Sequence, residues 1–120
     1  MKIAITTSGD SLAAPFEQRF GRAPKYIVYD LDNDSFEAVD NTQNLNAPQG
    51  AGIQAAQNVA QTGAQAVISG HCGPKAFSVL KTAGITVYTS DAETVADALD
   101  CYRAGKLAPA EDADVEGHWL

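Results

Sequence analysis

An α/β domain built on a mixed five-stranded sheet is what this sequence predicts, and three observations carry that expectation. Two short β-branched runs flank Asp32-Asn33-Asp34, which is a hairpin signature. After the hairpin, apolar runs of strand length alternate with segments of helical period, the pattern of strands linked through helices. Proline or glycine stands where several of those helical segments should start or stop.

The elements follow in order. Lys2 to Thr7 is an apolar run closed by Ser8-Gly9-Asp10 and reads as the first strand. Residues 8–24 then form a long connection punctuated by glycine and proline, of a length that is uncommon in compact domains and often functional. Within it, Phe16 to Phe20 reads equally as a short helical turn with both rings on the core. Lys25 to Leu31 and Ser35 to Asn41 are the hairpin strands, and Thr42 to Gln49 is a polar loop.

Gly50 to Thr62 reads as a helix with an apolar stripe of Ile53, Ala56, Val59 and Ala60, and Gly63 is placed to end it. Ala64 to Gly70 is a short buried strand. Pro74 to Ala83 is a second helix with Ala76, Phe77, Leu80 and Ala83 on one face; Pro74 suits its first position and Gly84 its end. Ile85 to Tyr88 is the last strand. Ser90-x-x-Glu93 predicts a capping box for a third helix, with Ala92, Val95, Ala96, Leu99 and Tyr102 facing the core. Strands joined through helices should run parallel, leaving the hairpin as an antiparallel edge.

With 120 residues the chain is one domain, and 45% hydrophobic against 19% charged residues is a globular composition. Two cysteines do not make a disulfide framework, and no leader or membrane-length apolar run is present, which points to a cytoplasmic protein with reduced thiols. The net charge of −7 is uneven: residues 1–106 carry 8 positive and 11 negative charges, and four acids follow Lys106 with no cation. The expectation is a domain over residues 1–107 and a flexible acidic tail over 108–120, with Trp119 able to dock. A surface for duplex nucleic acid should be basic, so nucleic acid is not the partner, and neither is a membrane.

In open sheets of this kind, ligands bind beyond the carboxyl ends of the strands. Ser8-Gly9-Asp10, Gly50-Ala51-Gly52, Gly70-His71-Cys72-Gly73 and Thr89-Ser90 should gather there. Two of these loops are glycine-rich and feed helix starts, where unpaired N–H groups and the helix dipole attract anions. Cys72 stands two residues before Pro74, where the dipole should favour thiolate, and Lys75 adds charge nearby. Arg19, Arg22 and Lys25 come from the long first connection; with Lys2 and Lys75 they make five of only eight cations. Together these point to a pocket for a small anion, with Ser8, Arg19, Arg22, Gly50, Gly52, His71, Cys72, Gly73 and Lys75 as candidate contacts.

Plainer readings stand beside these. A cysteine after a buried strand also reads as a small apolar residue, His71 can simply cap its loop, and Cys101 reads as structural. Gly50-x-Gly52-x-x-Ala55 matches a relaxed dinucleotide pattern, but it follows a long polar loop, and no acid stands about 20 residues on. Adjacent His71 and Cys72 should point apart if the strand continues through them, which disfavours a nucleophile pair. Nothing in the chain asks for catalysis.

The order Ile3-Ala4-Ile5, Phe20-Gly21-Arg22-Ala23, Asn41, Gly50-Ala51-Gly52, Gly73-Pro74-Lys75-Ala76 and Gly84-Ile85-x-Val87-Tyr88 resembles the dinitrogenase iron–molybdenum cofactor biosynthesis family over Lys2 to about Leu107. The resemblance implies a ribonuclease H-like fold and non-catalytic carriage of metal–sulfur clusters, with cofactor-assembly or ATPase-type proteins as partners. A short single domain resembles the orange-protein kind, which holds a molybdenum–copper–sulfide cluster; iron–sulfur and iron–molybdenum types are the other candidates. Such a cluster is a soft-surfaced anion, so the resemblance and the helix starts agree. As soft ligands, Cys72 and His71 are candidate metal contacts, Cys72 for copper or iron. The competing reading is a protein-interaction module that acts through the acidic tail, its pocket vestigial.

Overall fold

The computed structural model of the chain describes residues 1–41 and 51–110. Its elements are β1 (Lys2–Thr7), β2 (Lys25–Asp30), β3 (Ser35–Asp40), α1 (Ala51–Gln61), β4 (Ala66–Ser69), α2 (Pro74–Thr82), β5 (Thr86–Thr89) and α3 (Val95–Arg103), with one 3-10 turn at Phe20–Arg22. The strands form one sheet in the order β3-β2-β1-β4-β5. The β1–β2 and β2–β3 pairs are antiparallel, and β1–β4 and β4–β5 are parallel. Only β2 is reversed, as the hairpin and the helical links require. Gly63 and Gly84, with φ of +83° and +79°, end α1 and α2 in a left-handed conformation that glycine adopts without steric cost.

The two-residue period of the strands divides the core. Ala4, Tyr26, Val28, Val67 and Val87 face one way and pack under Ala55, Ala56 and Val59 of α1 and Ala76, Phe77 and Leu80 of α2. Ile3, Ile5, Ile27, Tyr29, Ala66 and Ile68 face the other way, under Val95, Ala98 and Leu99 of α3. The sheet is thus covered on both faces, and burying each large aliphatic side chain contributes about 1.5–3 kcal/mol.

Three local expectations change. Ala60 and Ala83 are exposed, whereas Ala55 and Ala98 are buried. Short alanines leave the helical phase ambiguous, and packing against the sheet resolves it. The cap of α3 is Thr94, whose Oγ1 accepts from the Asp97 N–H at 3.1 Å; the Ser90 hydroxyl instead accepts from the Ala92 N–H in a local turn. The Tyr29 hydroxyl donates to Asp34 at 3.0 Å, and Arg103 at the end of α3 donates to both at 2.8 Å, which ties the helix to the hairpin turn.

Residues 108–110 lie along β5: Pro109 bridges Tyr88, and the Ala110 N–H donates to the Val87 carbonyl at 2.7 Å. The rest of the proposed acidic tail, residues 111–120 with Trp119, falls outside the described residues, as does the polar loop 42–50. No helix among the described residues is long and apolar enough to cross a membrane.

Candidate functional site at the helix starts

The carboxyl ends of β1 and β4 mark the point where the chain's connections diverge to the two sides of the sheet, and a crevice is expected there. The chain fills this crevice itself. β1 and β4 remain paired as far as Ile5 and Ile68. Beyond that, the segment Glu17 to Phe20 lies between them. On one side the Glu17 N–H donates to the Thr6 carbonyl at 3.1 Å, and the Thr6 hydroxyl donates to the Glu17 carbonyl at 2.6 Å. On the other, the His71 N–H donates to the Gln18 carbonyl at 2.6 Å, and the Phe20 N–H to the His71 carbonyl at 3.0 Å.

The segment also passes from one face of the sheet to the other. Phe16 is buried with the α3 face and Phe20 with the α1–α2 face. Both rings therefore do pack on the core, but in opposite halves of it. The turn forms at Phe20–Arg22, after the crossing.

This crossing sorts the candidate residues. Ser8 opens a loop that turns back on itself, its N–H reaching the Pro15 carbonyl at 3.5 Å. The same loop docks on α3, where the Val95 and Ala96 N–H groups donate to the Ala14 and Leu12 carbonyls. Ser8 thus belongs to the α3 side. Arg19 lies in the crossing segment and pairs with Glu17 at 3.2 Å. Arg22, Gly52, Gly73 and Lys75 lie together with the starts of α1 and α2. Gly50 falls outside the described residues. Lys2 begins β1 opposite Asp30, at the far end of the sheet, and Lys25 pairs with Asp40 at 3.5 Å. The five cations are therefore not one cluster.

At the helix starts the two backbones approach closely. A Cβ placed on Gly52 would come within 3.2 Å of the Ala76 Cβ, so the first turns of α1 and α2 abut. Gly73 caps α2 with extended backbone and no side-chain hydrogen bond, Pro74 follows, and Lys75 is exposed beside it. The turn carrying exposed Arg22 is held by Asn41, whose amide donates to the Ala23 carbonyl at 2.7 Å and accepts from Asn58 of α1 at 2.8 Å. Together these form a surface of backbone N–H groups with two cations beside it.

His71 and Cys72 separate as their adjacency implies. Cys72 is buried at 1% exposure among Phe20, Ala23, Tyr26 and Ala76, beneath the helix starts. His71 is exposed on the α3 side and lines a groove of ≈ 530 Å³ with Gln18, Ser90, Cys101 and Lys106. Among the described residues, no three His, Cys, Asp or Glu side chains converge to hold a metal ion.

Burial pushes the Tyr26 hydroxyl well above the usual tyrosine value, and the neighbouring Cys72 adds to the shift. The hydroxyl donates to the Ala55 carbonyl at 3.3 Å. Tyrosines in the unfolded chain ionise from about pH 10, whereas folded Tyr26 stays neutral beyond that. Its contribution is therefore complete below about pH 10 and is lost as the pH rises further. The stability advantage of wild type over Tyr26→Phe should shrink between about pH 8 and about pH 10.5 in urea melts. A constant difference would show that Tyr26 ionises as easily in the fold as out of it.

Sequence reasoning missed Gln18 and Cys101. Gln18 acts through its main-chain carbonyl, which any residue type supplies, so it left no signal. Cys101 lies beside the apolar stripe of α3, and only the packing of that helix brings it to the His71 groove.

The profile of the dinitrogenase iron-molybdenum cofactor family matches residues 1–105. The chain belongs to that family. An uncharacterized protein of Methanocaldococcus jannaschii is 32% identical over 114 residues, 92% of each chain. The apo form of the orange protein of Desulfovibrio gigas superposes with a TM-score of 0.89 at 36% identity, over 95% of this chain and 96% of that one. A Thermotoga protein assigned to the DUF35 family superposes with a TM-score of 0.78 at 31% identity, over 90% and 91% of the two chains. The family's Phe20-Gly21-Arg22-Ala23 and Gly73-Pro74-Lys75-Ala76 segments are the ones that frame the paired helix starts.

Proposed function

We propose that this protein binds and carries an anionic metal–sulfur cluster on the surface formed by the starts of α1 and α2, and that it catalyses no reaction. The observation that carries this reading is the close approach of Gly52 to Ala76, which sets two helix N-termini side by side. Each start offers N–H groups without intrahelical partners and the positive end of a dipole. Arg22 and Lys75 add two full charges at the rim. Hydrogen bonds from N–H groups to sulfide, backed by these cations, hold an anion without covalent attachment, which suits a carrier that must release its cargo.

Membership of the iron–molybdenum cofactor family and the likeness to the orange protein support a metal–sulfur cargo. Within that class a molybdenum–copper–sulfide cluster is the favoured cargo; an iron–sulfur or iron–molybdenum cluster fits the same surface. The strand order 3-2-1-4-5 with β2 alone reversed supports a ribonuclease H-like fold. Cofactor-assembly or ATPase-type proteins are the partners this role calls for. The burial of Cys72 favours a core role for it over a ligand role.

The test is anaerobic reconstitution of the purified protein with tetrathiomolybdate and Cu(I), followed by desalting, visible absorption and metal analysis. A retained chromophore with stoichiometric molybdenum and copper is expected. Loss of all colour on the column would remove that cargo and move iron-containing clusters ahead of it.

A further inference from the structure

The same fold that sends Cys72 into the core brings a different cysteine to His71. His71, on the loop after β4, and Cys101, in the last turns of α3, line the one groove of ≈ 530 Å³ on the α3 side of the sheet. Cys101 is a free, half-buried thiol. We infer that this groove binds one soft cation of the Cu(I) type between the His71 imidazole and the Cys101 sulfur.

The donor set argues for this class of ion. Thiolate and imidazole are soft to intermediate ligands that favour Cu(I), which is stable with two of them. Zinc takes four ligands in structural sites and at least three protein ligands in catalytic ones. Among the described residues no three His, Cys, Asp or Glu side chains converge, so such an ion lacks its ligand set. Lys106 lines the same groove, and its backbone N–H donates to the Cys101 carbonyl at 3.0 Å. A cation beside the thiol favours the thiolate. On coordination the sulfur–hydrogen bond gives way to a sulfur–metal bond and the proton leaves to solvent, so uptake releases up to one proton per ion and strengthens as pH rises. A Cu(I) ion held by one thiolate and one neutral imidazole is electrically neutral, unlike the anionic cargo proposed for the other face. The Gln18–Gly70 crossing separates the two places.

The experiment is an anaerobic titration of the reduced, full-length protein with Cu(I) against bathocuproine disulfonate. One tight equivalent is expected for wild type and for Cys72→Ser, and its loss in Cys101→Ser. The deciding variant is His71→Ala, with His71→Asn as a second in case the first folds poorly. Either should weaken binding by about tenfold or more while the alkylation rate of Cys101 in the metal-free protein stays unchanged. Wild-type affinity in the His71 variants would mean an ordinary surface thiol and would overturn the site. One ion shared between two chains on size exclusion, or loss of the ion in Cys72→Ser, would overturn it equally.

Discussion

Gly70→Ala is expected to be the most damaging single-methyl substitution in the chain. A Cβ at position 70 would lie 2.7 Å from the Gln18 carbonyl oxygen and 2.8 Å from its Cα, and would also collide with Oε1 of the same residue. The first two are backbone atoms that cannot rotate away. Gln18 is held by the His71 N–H at 2.6 Å, the Ser69 hydroxyl at 3.4 Å and, through its own Nε2, the Ala92 carbonyl at 3.3 Å. Relief of the clash therefore requires the crossing segment to move out from between β1 and β4. Overpacking of this kind costs roughly 1–3 kcal/mol, and the lost hydrogen bonds add about 1 kcal/mol each. Gly63→Ala is the informative control. Nothing lies within 4 Å of its added methyl, so only its φ of +83° is penalised, by about 1–2 kcal/mol. Urea midpoints of the two variants decide the matter: a Gly70→Ala loss no larger than that of Gly63→Ala would mean that the crossing is soft.

Lys75→Glu is expected to abolish cluster retention while leaving the thermal midpoint close to wild type. Lys75 is exposed in the first turn of α2 and supports none of the packing described above. Reversing its charge puts a negative group where the proposed anion would sit, and a fall of about tenfold in retention corresponds to ~1.4 kcal/mol. Lys81→Glu makes the same change in net charge at the other end of the same helix. It should keep the cluster, since the effect of a helix terminus falls off within a turn. Equal loss in both variants would show that overall charge governs retention, and the helix starts would then not be the binding surface.

The number, order and direction of the elements were legible in the sequence because each rests on local chemistry. The hairpin came from its turn residues, α2 from Pro74 and Gly84, and parallel pairing from the helical links. The adjacency of His71 and Cys72 also told correctly that they would face opposite ways, since an extended chain alternates. The cap of α3 was misplaced because Ser90 and Thr94 both have a hydroxyl that can take a backbone N–H, and local sequence does not choose between them.

The site was less legible, for a physical reason. Arg19, Arg22, Lys25 and Lys75 all belong to segments near one end of the sheet, but which of them face one surface depends on where residues 17–20 cross between β1 and β4. That crossing is made by main-chain hydrogen bonds, which carry no side-chain signature. The sequence by itself determined the layers of this protein, their topology and the two helix starts. Only the tertiary structure decided that the central crevice is filled by the chain itself. It also decided that Cys72 is sealed in the core and that Cys101 shares a groove with His71, because these depend on contacts between segments far apart in the chain.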